Sequence, residues 1–152
     1  MDAFDLKLLA KLQSHGNASN QELADAVGLS ASQCSRRRAQ LERDEIIEGY
    51  QAKLNPAALG LDVTVFISIT LDRHSRHTSE QFHAFLQRLD EVQEAHAMTG
   101  DADYLIKVTV SSLSDLSGFV NDVLLANEAV QHVRSNIVLN SIKRDGGLPL
   151  AV

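Results

Sequence analysis

Residues Ser19 to Arg43 read SNQELADAVGLSASQCSRRRAQLER, and the capping-box spacing occurs twice in them, Ser19 with Glu22 and Ser30 with Gln33. In such a box a hydroxyl accepts from an amide three residues on, and that residue's side chain reaches back to the cap amide. Two orphan donors of a helix start are satisfied together. Leu23, Ala24 and Val27 give the first helix a narrow apolar face. Gly28 stands where the chain must turn with positive φ, and Leu29 follows to tuck beneath the turn. Two capped helices around one glycine turn constrain this stretch to a helix-turn-helix.

The second helix separates into faces at about 100° per residue. Cys34 and Leu41 fall on one side and are expected to pack on the first helix and on an N-terminal helix. Ser32, Ser35, Arg36, Ala39 and Arg43 lie broadly opposite. Arginine runs are common on solvated helix faces, but small polar residues at a capped leading end, followed by arginine, suit a helix that enters the DNA major groove. The candidate DNA contacts are Ser30, Ser32, Gln33, Ser35, Arg36, Arg37 and Arg43. Arg36 is expected at a base edge, and Arg37 and Arg43 at phosphates.

Charge agrees once it is located. The net charge of −6 is awkward for a DNA binder, yet residues 1–55 hold seven Lys/Arg against eight Asp/Glu and the remainder seven against twelve. Acidity therefore sits in the second half, while Arg36, Arg37, Arg38 and Arg43 focus positive charge on one helix, as binding at a specific site requires. A chain of 152 residues with 44% hydrophobic content reads as one medium or two small soluble domains. Cys34 is the single cysteine, so no intrachain disulfide forms and a reducing compartment is expected. Asp2 and Asp5 occupy the place of a basic leader region, and no apolar run reaches membrane-spanning length. A cytoplasmic protein without a membrane partner is expected.

The fold class expected is α+β, an N-terminal helix-turn-helix domain joined to a C-terminal βαββαβ domain. Leu8, Leu9 and Leu12 make Phe4 to His15 an amphipathic first helix. After Arg43, Gly49 to Leu54 alternates as a short strand, so the first domain spans 1–54. Asn55-Pro56-Ala57-Ala58-Leu59-Gly60 marks a hinge over 55–61. From 62 to 145 the rhythm changes. Val63, Val65, Ile67, Ile69 and Leu71 alternate with Thr64, Phe66, Ser68 and Thr70 as a strand, and Phe82, Phe85, Leu86 and Leu89 mark a helix over Ser79–Leu89. Val92–Met98 and Tyr104–Val110 flank a turn-rich loop, Leu116 to Leu124 forms a second helix, and Val130–Ile142 closes with a strand. Residues 146–152 are left as a tail. The order is that of the ferredoxin-like split βαβ arrangement. Its helices cover one sheet face, and with Val, Ile and Phe available for both, a second copy of the sheet is expected on the other, making at least a homodimer.

Two loops carry possible chemistry. In Thr99-Gly100-Asp101-Ala102-Asp103-Tyr104, amides at a glycine turn can hold a carboxylate while a neighbouring aspartate accepts an ammonium, which together fit a free amino acid. On spacing alone the loop is an ordinary β-turn, where Gly and Asp are common anyway. His74 and His77 lie three apart, as a metal-responsive regulator would want, but among Arg73 and Arg76, which repel a cation. Neither a nucleophile–base pair nor a redox cysteine pair is present, so no enzyme, cofactor or structural metal is expected. An architectural DNA protein without a ligand remains open if the hairpin is merely structural.

Taken together, Asp5-Leu6-Lys7-Leu8-Leu9, Val27-Gly28-Leu29-Ser30, Cys34 with Arg37, Leu41-Glu42-Arg43, Ile47-Glu48-Gly49-Tyr50, Leu54-Asn55-Pro56, Glu94-Ala95-His96 and Gly100-Asp101-Ala102-Asp103-Tyr104-Leu105 resemble the Lrp/AsnC (feast/famine) family of transcription regulators. The resemblance runs from Asp5 to about Ile142. It implies a DNA-reading N-terminal domain and a C-terminal domain that pairs across its sheet into dimers, commonly building octamers that bind an amino-acid effector between dimers. It places Gly100, Asp101 and Asp103, flanked by Thr99 and Tyr104, at the effector's polar end, and Leu113, Leu125 and Val138 near its side chain. These three are aliphatic, which favours an apolar or medium-sized amino acid. Arg38 departs from the family: it falls on the inner face between Cys34 and Leu41, where an aliphatic residue is usual. Either its stem packs and the guanidinium snorkels out, or the helix is rotated.

Overall fold

Three helices at the N-terminus each begin at a side-chain cap, and the caps fix where the chain turns between them. In the computed structural model, which describes residues 1–72, 76–144 and 146–151, these are α1 (Ala3–Ser14), α2 (Asn20–Val27) and α3 (Ala31–Arg43). Both expected capping boxes form, Ser19 with Glu22 and Ser30 with Gln33. A third forms at Asp2, whose carboxylate accepts from the Asp5 amide at 3.0 Å while the Asp5 carboxylate accepts from the Asp2 amide at 2.8 Å. Gly28 closes α2 in the left-handed region at φ 75°, a conformation that glycine adopts without the clash a Cβ would bring. Leu8, Leu12, Ala18, Leu23, Ala24, Val27 and Cys34 make the core between the helices, with Leu29 and Ile47 packed at its margin.

Two expectations for this part of the chain are corrected. Gly49–Leu54 forms no strand: a strand needs a neighbour to share its ladder, and no described segment pairs with this one. Tyr50 is instead fixed through its hydroxyl. The division near residue 145 also moves. The chain separates into Met1–Lys53 with Ile142–Val152 as one unit and Leu54–Ser141 as the other, so the last segment groups with the N-terminal helices.

The second unit opens with a 3₁₀ turn at Ala57–Leu59, inside the expected hinge, and continues as β1 (Val63–Leu71), α4 (Arg76–Leu86), β2 (Val92–Ala97), β3 (Tyr104–Val110), α5 (Leu113–Gly118), a π-helical turn (Phe119–Leu124) and β4 (Val130–Ile137). The strands pair antiparallel in the order β2-β3-β1-β4, which completes the α+β, ferredoxin-like arrangement. α4 starts and ends three residues earlier than the apolar spacing suggests. β4 ends at Ile137, short of the expected Ile142: Val65 faces Ile137, and the Val138 amide makes one further bond to the Thr64 carbonyl, at 2.9 Å. The π turn, with the Leu125 amide bonded to the Val120 carbonyl, brings Phe119 and Leu124 inward together although five residues separate them.

One face of the sheet is filled by Val65, Ile67, Ile69, Leu71, Ile106 and Val108, packed with Phe82, Leu86, Phe119 and Leu124 from the helical layer. The other face differs from expectation. Registry places Thr64, Phe66, Ser68 and Thr70 beside Leu105, Lys107 and Thr109, with Glu94 and His96 on one flank and His132, Arg134 and Asn136 on the other. Only Phe66 and Leu105 are large and apolar there. The apolar alternation of β1 and β3 supplies one hydrophobic face, and the second is a polar surface with a small apolar centre. Truncation should report this asymmetry. Ile67→Ala should cost about 2–5 kcal/mol, as a buried deletion does, and Phe66→Ala should cost the isolated chain less than about 1.5 kcal/mol; chemical denaturation of dilute protein measures both.

Candidate functional site

Helix α3 carries four arginines, and their positions around it decide what each can touch. Cys34 and Leu41 form the buried seam; burial pushes the Cys34 thiol up from its ordinary pKa, leaving it a small packing residue. Arg37 and Arg38 flank this seam on opposite sides, and both are committed to the fold. Arg37 Nη1 donates to Asp5 Oδ1 at 2.7 Å and meets Asp2 Oδ2 at 2.8 Å, and its guanidinium lies 5.7 Å from the centre of the Phe4 ring. Arg37, expected at a phosphate, is here paired with the two aspartates at the start of α1. Arg38 Nε donates to the Tyr50 hydroxyl at 2.8 Å and to Glu42 at 3.1 Å, with its guanidinium 4.5 Å from the centre of the Tyr50 ring. The Tyr50 hydroxyl in turn donates to Glu42 at 2.8 Å, and this bond, then Arg38, holds the Glu42 carboxyl below its ordinary pKa. Arg38 thus resolves its unusual inner position by stacking and pairing with Tyr50, without rotation of the helix. Spacing along α3 could not have revealed a partner that lies twelve residues on.

The face left to solvent holds Ser32, Ser35, Arg36, Gln40 and Arg43. Ser30 and Gln33 stand at its leading end, but their side chains serve the cap: the Gln33 carboxamide oxygen accepts from the Ser30 amide and hydroxyl, both at 3.0 Å. Arg43 donates to Gln40 at 2.6 Å and remains exposed. Arg36 is exposed and has no ion pair among the described residues. A helix N-terminus with hydroxyls and one uncommitted arginine presents donors to the edge or backbone of a duplex.

In the second unit, residues 98–103 close the β2–β3 hairpin. Gly100 adopts φ 122°, a conformation disfavoured for any side chain. Thr99, Gly100 and Asp101 are exposed. Asp103 is the hairpin's staple: its amide donates to the Ile69 carbonyl at 2.9 Å, its carbonyl accepts from the Met98 amide at 2.8 Å, and its carboxylate accepts from the Leu71 amide at 2.8 Å. Tyr104 turns away from the loop. It is 5% exposed, stacks near Phe82, and bonds through its hydroxyl to His83 Nε2 at 3.0 Å. Its expected place beside an effector is corrected accordingly.

The expected aliphatic contacts do not gather at the hairpin. Leu113 follows the far end of β3, and Val138 bonds beside Thr64 at that same end. Seven residues of strand separate them from the hairpin, about 20 Å at the usual rise. Leu125 leads through a turn to Val130, which pairs with Leu71 at the hairpin end. Leu113 and Leu125 are 61% and 44% exposed. One copy of the chain therefore holds the polar part of the expected site at one end of the sheet and most of its apolar part at the other. Of the histidine pair, His77 lies in the first turn of α4 and His74 falls outside the described residues. No helix among the described residues is long and apolar enough to cross a membrane.

Comparison with known proteins matches both units. Residues 1–42 fit the AsnC-type helix-turn-helix domain, and residues 64–148 fit the Lrp/AsnC ligand binding domain. The leucine-responsive regulatory protein of Salmonella typhimurium is 39% identical over 97% of this chain and 90% of its own length, and that of Escherichia coli K12 is 38% identical over the same shares. Among solved structures, a transcriptional regulator of Neisseria meningitidis in complex with L-methionine aligns with a TM-score of 0.95 at 37% identity, covering 99% of this chain and 97% of that one. An AsnC family transcriptional regulator of Agrobacterium tumefaciens aligns with a TM-score of 0.92 at 34% identity and the same coverage.

The clamp on Arg37 carries its own acid dependence. The Asp5 amide, and after it the Arg37 guanidinium, hold Asp2 below the ordinary aspartate pKa. A carboxylate depressed in the fold contributes stability that is complete above its unfolded pKa and is lost as pH falls through the folded one. The helical signal of the N-terminal unit should then hold down to about pH 4 and weaken below it. Arg37→Ala should reduce that acid limb without abolishing it, since the Asp5 amide still holds Asp2 down, and urea titrations at stepped pH measure the difference.

Proposed function

Because this chain belongs to the Lrp/AsnC family of transcription regulators, we propose that it reads DNA with the outer face of α3 and is modulated by a free amino acid held in its second unit. The observation that carries the DNA contacts is the division of labour among the arginines. Arg37 and Arg38 are spent on α1 and Tyr50, so Arg36 is the base-edge candidate, Arg43 the phosphate candidate, and Ser32 and Ser35 the hydroxyl donors beside them. Ser30 and Gln33 act through the helix cap, presenting the α3 N-terminus to the duplex.

An amino-acid effector is supported by the methionine complex of the meningococcal relative and the leucine-responsive names of the enterobacterial ones. The hairpin at Thr99 to Asp103 supplies the ends of such a ligand: amides around Gly100 face its carboxylate, and Asp101 and Asp103 attract its ammonium. Leu125 stands at this end of the sheet, whereas Leu113 and Val138 stand at the other. We read the site as complete only when a second protomer brings its far end to the hairpin. Assembly therefore belongs to the same reading, with a homodimer formed over Phe66 and Leu105 on the open sheet face and a higher oligomer, an octamer, joining hairpin ends to far ends. A cytoplasmic setting fits a protein that acts on DNA.

Two measurements test the reading. Arg36→Ala should weaken binding to a selected operator by about 1–3 kcal/mol and relax preference at one position per half-site, while Arg43→Ala should weaken all sequences alike and reduce the salt slope. Fluorescence anisotropy across several salt concentrations distinguishes them, and parental behaviour in both variants would place the DNA face elsewhere. For the effector, Asp103→Asn keeps an acceptor for the Leu71 amide and removes only charge. Calorimetric titration with leucine and methionine should show about 1.5–3 kcal/mol of lost affinity with folding intact. Unchanged affinity would make Asp103 a structural staple alone.

A further inference from the structure

Three features converge at the C-terminal end of α1. Gln13 spends both ends of its carboxamide on one residue of the chain's last segment: Nε2 donates to the Leu148 carbonyl at 3.2 Å, and Oε1 accepts from the Leu148 amide. A neighbouring β-strand would make the same two bonds with its backbone; here one side chain makes them. Gly147 lies against this pairing so closely that a Cβ there would come within 2.6 Å of Gln13 Oε1. A cavity of about 480 Å³ adjoins them, lined by Ala10, Gln13, Ser14, Lys53, Leu148 and Leu150.

The way the segment is held matters as much as the place. Ile142 and Leu148 remain 89% and 77% exposed, so attachment rests on the amide pairing and hardly on apolar burial. Hydrogen bonds that exchange with water add little net stability. A segment held this way is able to open locally without unfolding the helices beneath it.

We propose that residues 146–151 form a detachable strap, docked through Leu148 on Gln13, that ties the DNA-reading unit to the rest of the chain a second time. The chain leaves the first unit at Lys53 and re-enters it at Ile142. With the strap docked, each helix-turn-helix hangs on two chain segments; with it released, on the 55–61 hinge alone. The consequence rests on the DNA-binding reading above. When two such units bind two half-sites, the second binds at an effective concentration set by its tether, and a looser tether lowers it. A single half-site engages one unit and does not sense the tether.

Gln13→Leu removes the pairing, and Gly147→Ala displaces the Gln13 carboxamide from it; both leave α3 and the core untouched. Amide exchange should show Leu148 protected in the parent and unprotected in both variants. On DNA enriched by the parent from a random-sequence pool, the variants should bind a two-half-site duplex roughly 3–10-fold more weakly, a half-site duplex as the parent does, and the double variant no worse than either single. The proposal is overturned if Leu148 in the parent exchanges like an unstructured peptide. It is also overturned if both duplexes lose affinity equally, which signals damage to the unit itself, or if neither does. A parent that binds neither duplex fails the DNA reading, and the tether role falls with it, even where the exchange data show the strap docked.

Discussion

The interaction on which the DNA-reading unit depends is the pairing of Arg37 with Asp2 and Asp5. Those two aspartates form the capping box that starts α1, and the same carboxylates receive the guanidinium from the middle of α3. One cluster therefore begins one helix and fixes another against it. Arg37 is partly withdrawn from water, with 27% of its side chain exposed, and Asp5 more so at 13%. Asp2 stays open to water, with 51% of its side chain exposed, so the cluster acts more by fixing geometry than by a large ion-pair energy. With α3 held on one side by α1 and on the other by the stack of Arg38 on Tyr50, its rotation about its own axis is determined. The outward direction of Ser32, Arg36 and Arg43 follows from that, and so does what the helix can present to a duplex.

Local rules made much of this legible before any coordinates. Capping boxes, the Gly28 turn and the alternation of β1 act over a few residues, and each appears where its spacing puts it. What escaped the sequence lies in pairings across distance. Arg37 and Arg36 are indistinguishable as letters; the difference is that they point about 100° apart around the helix, and Arg37 finds Asp5 thirty-two residues away. The Asp2–Asp5 box was readable by the same spacing rule, yet aspartate at both positions first suggests only the lack of a basic leader. The strand proposed at Gly49–Leu54 alternates correctly, but alternation does not supply a partner. On the sheet the error ran the other way. Counting apolar residues in β1 without registry overlooks that its partners on the open face are Lys107, Thr109, Arg134 and Asn136.

The hairpin shows how residues that hold a fold could also serve the proposed site. Gly100 at φ 122° sets the loop's direction, and Asp103 fastens it to the end of β1 through backbone and side chain alike. A carboxylate that already accepts an amide is oriented before any ligand arrives, which lowers the ordering cost of accepting an ammonium beside it. Thr99, Gly100 and Asp101 stay exposed on this fixed base. The proposed polar end of the ligand would thus meet a rigid loop, and selectivity would fall to whatever closes over its side chain.

That closure is where ligand and assembly become one problem. Leu113 and Val138 lie a full strand away from Asp101 within one copy, so a ligand that contacts both ends contacts two protomers. Linkage then fixes the sign. A ligand with higher affinity for the joined state must strengthen the joining by the same factor, and a stronger joining must raise the ligand's affinity. In the proposed assembly the exposed leucines would make the coupling selective: Leu113 and Leu125 offer apolar surface that water covers in the separate chain, and an aliphatic side chain placed between them would remove more of it than glycine or aspartate can. Amino acids should accordingly rank in their effect on assembly by the apolar area they bring, with a ceiling where the side chain outgrows the gap. In that proposed assembly each protomer would also carry a helix-turn-helix, so a change in how many are joined would alter how many reading helices a stretch of DNA meets at once.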